Sequence, residues 1–161
     1  MRSLVPVARL LFAAIFLMSA PGHFQAGTIA YAAQQGVPFA SILVPLSGIL
    51  ALAGGLSVLL GWHARAGAWL LVVFLVPVTL AMHAFWAVSD PTMRMFQQAF
   101  FMKNLAMLGG ALGIAYWGAG PVSLDESGAA FSARGNPGEG GRVNLSFRGA
   151  QRRGHRAPSA E

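Results

Sequence analysis

Four long apolar runs constrain this chain more than any other feature. They cover residues 4–20, 39–60, 66–86 and 96–117, and each falls in the range of roughly 17–25 residues that crosses the hydrocarbon core of a bilayer. Only 10% of the 161 residues are charged, whereas soluble domains carry roughly 25%. Because a spanning segment must satisfy its backbone hydrogen bonds internally, the runs predict an all-α integral membrane bundle of four transmembrane helices.

The first run follows Arg2 and could also be a secretory signal peptide. Its cleavage region is unfavourable, because Pro21 follows Ala20 directly, so we interpret the run as a retained helix. Arg9 lies about two turns into this helix. We expect its long side chain to extend to the nearer membrane surface; the alternative is a partner for Arg9 inside the bundle.

The first outer loop, residues 21–40, predicts a short interfacial helix. Thr28 is the candidate N-cap of this helix, Gln35 its last residue and Gly36 its C′ residue. In the third run, Pro77 removes one backbone hydrogen bond and predicts a kink. His83 and Trp86 follow it one turn apart and are expected to share a helix face.

Small residues recur in the second and fourth runs. Helix association in lipid relies on close packing, so such residues indicate helix-contact faces. In the fourth run they are also compatible with a contact between two copies of the chain in a homo-oligomer. The residues are Ser47, Gly48, Ala51, Gly54 and Gly55 in the second run, and Ala106, Gly109, Gly110 and Gly113 in the fourth.

The chain changes character at Pro121. Residues 121–161 are rich in Gly, Ser, Asn, Arg and Pro without apolar periodicity, which predicts a mostly disordered tail after a transmembrane domain at 1–120. We expect the tail to fix orientation, with anionic lipid as a further partner. Its basic residues are not interleaved with aromatic ones, so no nucleic-acid partner is predicted. They are Arg134, Arg142, Arg148, Arg152, Arg153 and Arg156.

Four spans place both termini on one side of the membrane. Arg2, Arg9, Arg65 and the Arg-rich tail share that side, and the positive-inside rule makes it cytoplasmic. We therefore predict a bacterial inner-membrane protein with both termini in the cytoplasm. The opposite loops carry only His23, Asp90 and Arg94.

Polar side chains gather at the predicted extracytoplasmic end. A charged residue inside an apolar run is costly in lipid, so we expect Lys103 to share a hydrogen-bonded cluster with at least one of Asp90, His83 and Asn104. Cysteine is absent, which excludes disulfides and cysteine-ligated iron–sulfur clusters. No metal site is predicted. The candidate site comprises His23, His83, Trp86, Asp90, Arg94, Lys103 and Asn104.

Several short phrases mark the turn between the third and fourth runs, residues 83–110, here called the hairpin, and its surroundings. They are His83-Ala-Phe-Trp86, Ser89-Asp90-Pro91, Gln97-Gln98, Lys103-Asn104-Leu105-Ala106, Gly109-Gly110 and Gly118-Ala-Gly-Pro-Val-Ser-Leu-Asp125, with Gly36-Val-Pro38, Gly54-Gly55 and Gly61 upstream. Together they resemble the DoxX family of small four-helix membrane proteins. The resemblance covers roughly residues 4–125, and it departs from many members at Gly22-His23, where they carry a Lys, and at Ala51, where they carry a Glu.

Three functions follow as hypotheses. The family's namesake is the small subunit of a thiosulfate:quinone oxidoreductase, so the resemblance implies an accessory or anchoring subunit of a redox complex, with catalysis in a partner chain. A quinone site needs residues of the types found at His83, Trp86, Lys103 and Asn104. Haem could in principle be bound by His23 and His83, but two histidines without a fixed spacing are weak evidence for it. The other hypotheses are a structural or interaction protein without its own activity, and a small transporter.

The charge asymmetry generates a test of orientation. A reporter that is active only in the periplasm should be silent when fused after Glu161 and active when inserted near Ser89, because the basic residues hold their side in the cytoplasm. Enzymatic assay of both fusions in whole cells measures this, and the reverse pattern would contradict the topology.

Overall fold

The structure, a computed structural model, describes residues 3–128, and these are mostly helical. The Arg-rich part of the predicted tail, residues 129–161, lies outside the described residues, as do Met1 and Arg2. The helices are α1 (Leu4–Ser19), α2 (Ala26–Gln34), α3 (Ala40–Leu60), α4 (Ala64–Met82) and α5 (Pro91–Trp117), with 3-10 turns at Ala20–Phe24 and Phe85–Ala87.

Within this part of the chain, four helices are long and apolar enough to cross a membrane. The predicted fold class, an all-α bundle of four such helices with a short helix in the first loop, is confirmed. Counted with their adjoining 3-10 turns, the candidate spans are Leu4–Phe24, Ala40–Leu60, Ala64–Ala87 and Pro91–Trp117.

Two predicted helix boundaries differ from those observed. Helix α5 begins at Pro91 and not near residue 96, because Asp90 caps it: its Oδ1 accepts the Met93 N–H at 2.7 Å. Pro91 suits the first helical position, which needs no N–H donor. Helix α4 ends at Met82 and not at residue 86, since His83 leaves the helical conformation with φ −126°.

The short loop helix α2 begins two residues before the predicted cap. Gln25 is its N-cap, so Thr28 lies inside the helix and the predicted capping role of Thr28 is wrong. The helix ends at Gln34, one residue before the predicted end, and Gln35 is its C-cap. Gly36 is the C′ residue as predicted: it has φ 83°, and the Val37 N–H donates to the Ala32 carbonyl at 3.1 Å, which closes the last turn.

Helix α3 is the central helix, and its small residues form the predicted contact face. Gly48, Gly54 and Gly55 are buried along it, with Ala51 between them. A Cβ atom at Gly54 would lie 2.8 Å from the Gly67 carbonyl oxygen on α4, and one at Gly48 would lie 2.7 Å from the Cβ atom of His23. Backbone approach at these points therefore requires glycine.

Arg9 is buried and bound by the chain that follows α5. Its Nη1 donates to the Ala119 carbonyl at 3.2 Å and its Nη2 to the Val122 carbonyl at 2.5 Å, and the residue is only 6% exposed. Arg9 therefore has a partner within the fold, as the alternative required, and its side chain extends towards the end of the bundle without being exposed. The partner is a pair of backbone carbonyls.

Residues 118–128, here called the closing segment, pack against the α3–α4 turn. The Asp125 carboxylate accepts the N–H groups of His63 and Ala64 at 2.7 and 3.1 Å, and so caps α4. The Asp125 N–H donates to the Gly61 carbonyl at 2.9 Å. The first eight residues of the predicted tail, residues 121–128, are therefore hydrogen-bonded parts of the fold.

These contacts define two ends of the bundle. The Arg9 end comprises the start of α1, the α3–α4 turn and the closing segment. The His23 end comprises the loop between α1 and α3 together with the α4–α5 link.

The burial of Arg9 generates a stability prediction. Arg9→Met should lower the free energy of unfolding by about 1–3 kcal/mol, because the carbonyls of Ala119 and Val122 lose their donors. Thermal unfolding in detergent measures the change, and limited proteolysis reports whether the closing segment detaches.

Arg65→Met is the control for this prediction. Arg65 is exposed and forms no hydrogen bond within residues 3–128, so its replacement should change stability by less than about 0.5 kcal/mol. An Arg9→Met protein with unchanged unfolding and a protected closing segment would contradict the assigned role of Arg9.

Candidate functional site

The predicted polar residues occupy the His23 end but form separate groups there. Some lie on the α4–α5 link and the first turns of α5. His23 instead lies on the 3-10 turn after α1, with its own partner on α3. The structure therefore places these residues at one end of the bundle, whereas the single shared cluster is not formed.

Asp90 and Arg94 close the α4–α5 link. Asp90 caps α5, as described above, and the Arg94 Nε donates to the Val88 carbonyl at 2.9 Å. Both side chains are exposed. Their observed contacts serve the backbone of the link.

His83 and Lys103 both lie beside the Phe100 ring. The His83 Nδ1 is 2.7 Å from Gln97 Oε1, and the His83 and Phe100 ring centroids are 5.5 Å apart. The Lys103 Nζ lies 5.2 Å from the centroid of the same Phe100 ring, within the range of a cation–π contact. Within residues 3–128, Lys103 forms none of the predicted hydrogen bonds to His83, Asp90 or Asn104.

Trp86 indicates how far His83, Phe100 and Lys103 lie from the membrane surface. Its ring meets the Phe101 ring edge-on at 5.8 Å, and Trp86 itself is 55% exposed, as is usual for an aromatic residue at a membrane surface. The end of α4 thus lies beside residues 97–101 of α5. Lys103 is less than one turn deeper, so its exposed side chain can extend back towards the surface.

Asn104 points the other way from Lys103. It is only 4% exposed, and its side chain forms no hydrogen bond to another described residue. Buried amides usually have a partner. Among the residues predicted for the site, Asn104 is the one that faces the interior of the bundle.

His23 is held by Ser47 on α3. The Ser47 hydroxyl donates to the Val44 carbonyl at 2.6 Å, and the His23 Nδ1 lies 2.8 Å from the same hydroxyl oxygen. A hydroxyl has one proton, so Ser47 accepts from His23, and Nδ1 carries the ring proton. The ring edge also contacts Phe74 at 5.5 Å between centroids.

A cavity of about 270 Å³ opens beside this pair. It lies between α2 and the halves of α3 and α4 at the His23 end, and none of its lining residues belongs to the hairpin at 83–110. Its lining comes from two stretches of the chain, 23–50 and 73–82, so local sequence patterns carry little signal for it. Its lining residues are His23, Thr28, Ala32, Val37, Leu43, Val44, Leu46, Ser47, Leu50, Val73, Pro77, Val78, Ala81 and Met82.

Comparisons with known proteins relate the chain to one family. The model of the SURF4 family matches residues 30–131. The chain is also 32% identical over 123 residues to the inner membrane protein YqjF of Escherichia coli K12, a match that covers 75% of this chain and 88% of YqjF. No solved structure matches.

The family expected from the sequence is therefore wrong. The hairpin phrases resembled the DoxX family, but the family model that matches is that of SURF4, and the similar relative is YqjF. The redox and quinone roles rested on that resemblance, so they lose their basis.

The contact between α3 and the His23 turn generates a prediction. Gly48→Ala should lower the free energy of unfolding by about 1–3 kcal/mol, because the added methyl group overlaps the Cβ atom of His23. It should also break the His23–Ser47 hydrogen bond. Thermal unfolding and ¹⁵N NMR of the His23 ring measure the two effects.

Gly22→Ala is the matched control in the same turn. A Cβ atom there meets nothing within 4 Å, so the stability should change by less than about 0.5 kcal/mol. Equal effects of the two substitutions would show that Gly48 does not position His23.

Proposed function

Because the chain belongs to the SURF4 family, and because YqjF is an inner membrane protein, we propose that it is a multi-pass inner-membrane protein that acts by binding a partner protein in the membrane. Both termini lie in the cytoplasm in this proposal. The exposed face of α5 is the binding surface.

The observation that carries the proposal is Lys103. It is exposed on α5, and within residues 3–128 its ammonium group has only the Phe100 ring beside it. A cation in or near hydrocarbon gains most from a carboxylate or another acceptor. A partner helix that carries such a group would supply it.

Small side chains beside Lys103 support the same surface. Ala99 and Ala106 are exposed and lie four residues before and three residues after Lys103, so the three share one face of α5. Small residues allow a second helix to approach closely. Only 11% of the α5 span is buried in the bundle, against 22–33% of the others, which leaves room for a partner.

The polar residues at the His23 end favour binding over catalysis. Asp90 and Arg94 serve the backbone, and His83 pairs with Gln97. A small transporter has less support, because Arg9 is held by carbonyls and Lys103 lies towards the opposite end.

Photocrosslinking in cells tests the proposal. A photoreactive phenylalanine analogue at Met102, which is next to Lys103 and 48% exposed, should give a discrete protein adduct. The same analogue at Met18, 82% exposed on α1, is the matched control and should give none. Mass spectrometry identifies the adduct and separates a second copy of the chain from another protein.

The charge dependence makes the test specific. Lys103→Met should reduce the Met102 adduct by about tenfold, the effect of losing one charged contact of roughly 1.4 kcal/mol, whereas Lys103→Arg should retain it. Equal adducts at both positions, or an adduct unaffected by Lys103→Met, would contradict the proposal.

A further inference from the structure

The cavity beside His23 has the properties of a binding site that opens to the bilayer. Its volume of about 270 Å³ is close to the lower limit of roughly 300 Å³ for small-molecule sites. Leu43, Leu46 and Val73 line it and are 41%, 44% and 57% exposed on the outside of the bundle. The cavity therefore opens sideways, where a molecule dissolved in lipid can enter.

The lining is apolar except for a few groups. His23 and Ser47 form a hydrogen-bonded pair, and Thr28 faces them from α2. An occupant must accordingly be mostly hydrocarbon, with a small polar group placed at the pair. A full phospholipid with two chains and a charged head group does not fit these dimensions and this chemistry.

The hydrogen bonds of the pair specify which polar group fits. Because Nδ1 of His23 carries its proton towards Ser47, the Nε2 atom of a neutral ring is an acceptor. Within residues 3–128, Nε2 has no hydrogen-bond partner. Among the side chains described there, Arg9 Nε is the one fully enclosed polar atom without a partner, so the His23 Nε2 is open to an incoming group.

The position of the His23–Ser47 pair makes it costly in free energy to leave the Nε2 acceptor without a partner. Ser47 lies seven residues into α3, about 10 Å from its start at roughly 1.5 Å per residue. At this depth water competes little, and an unpaired polar atom carries most of its desolvation cost. A donor brought by a ligand would remove that cost.

We propose that the cavity binds a neutral single-chain amphiphile from the bilayer, a long-chain alcohol or monoacylglycerol, whose hydroxyl group donates to His23 Nε2 while its chain occupies the apolar lining. Ser47 is a positioning residue, since it fixes the ring proton on Nδ1. This site is distinct from the α5 surface and does not depend on a protein partner.

Two photoreactive probes test the proposal on purified full-length protein in nanodiscs. One is a long-chain alcohol with a diazirine in its chain, and the other is its methyl ether, which lacks the donor. The alcohol should label the lining segments of α3 and α4 about three- to tenfold more than the ether, the range that one net hydrogen bond provides. Peptide mass spectrometry locates and quantifies the adducts.

Three variants test whether the preference for the alcohol over the ether depends on the His23–Ser47 pair. His23→Phe keeps an aromatic ring but removes the acceptor, so the alcohol and the ether should label it equally. Ser47→Ala should reduce the preference, because the ring loses its positioning contact. Ser41→Ala is the matched control: Ser41 is exposed on the same helix and forms no hydrogen bond in the described chain, so the preference should persist.

A competition experiment on the wild-type protein tests the same preference without any variant, so it remains informative if a variant fails to fold. Unlabelled alcohol should displace the alcohol probe at several-fold lower concentration than unlabelled ether. Equal competition by the two would overturn the proposal, as would an unchanged preference in a folded His23→Phe protein. Labelling spread evenly over the exposed faces of the spans would identify bulk lipid contact and would also overturn it.

Discussion

Close backbone approach at the glycines of α3 determines where the other elements lie. Gly54 allows α4 to approach so closely that the Gly67 carbonyl would be 2.8 Å from an added Cβ atom, and Gly48 does the same for the His23 turn. In lipid no hydrophobic effect drives helices together, so such packing supplies much of the association energy. The contact at Gly48 also delivers His23 to Ser47, and thus the packing that forms the bundle also forms the polar corner of the cavity.

The sequence predicted the spans well because bilayer thickness sets their length and lipid sets their composition. It failed where the decisive contact comes from far along the chain. Arg9 meets carbonyls 110 and 113 residues later, and α4 ends early where His83 pairs with Gln97. The lining of the cavity comes from two stretches of the chain, 23–50 and 73–82, so it has no local pattern. Asp90 and Lys103 both lie towards the His23 end but do not pair, because side-chain pairing depends on rotamers and on the residue at which the helix starts.

The family error has a physical explanation in the same residues. Several phrases that suggested DoxX perform general tasks at helix ends: Asp90-Pro91 starts α5, Gly36 ends α2, and Gly61 ends α3 in a left-handed conformation. Any bundle of this architecture needs such caps and turns. They are therefore informative about the fold and carry little information about which family of membrane bundles the chain belongs to.

The two ends of the bundle differ in how their polar groups are satisfied. At the Arg9 end, Arg9 and Asp125 bind backbone groups of the closing segment and of the α3–α4 turn, and this network holds three chain segments together: α1, the α3–α4 turn and the closing segment. At the His23 end, Lys103, Asn104 and His23 Nε2 have no hydrogen-bond partner within residues 3–128. Unpaired polar groups cost free energy in an apolar medium, and the fold could have avoided that cost with apolar residues. At the Arg9 end, Arg9 Nε also lacks a partner among the described residues, but the other nitrogens of the guanidinium group are bound. The greater number of unpaired groups at the His23 end favours binding there, while the contacts at the Arg9 end favour a role in stability.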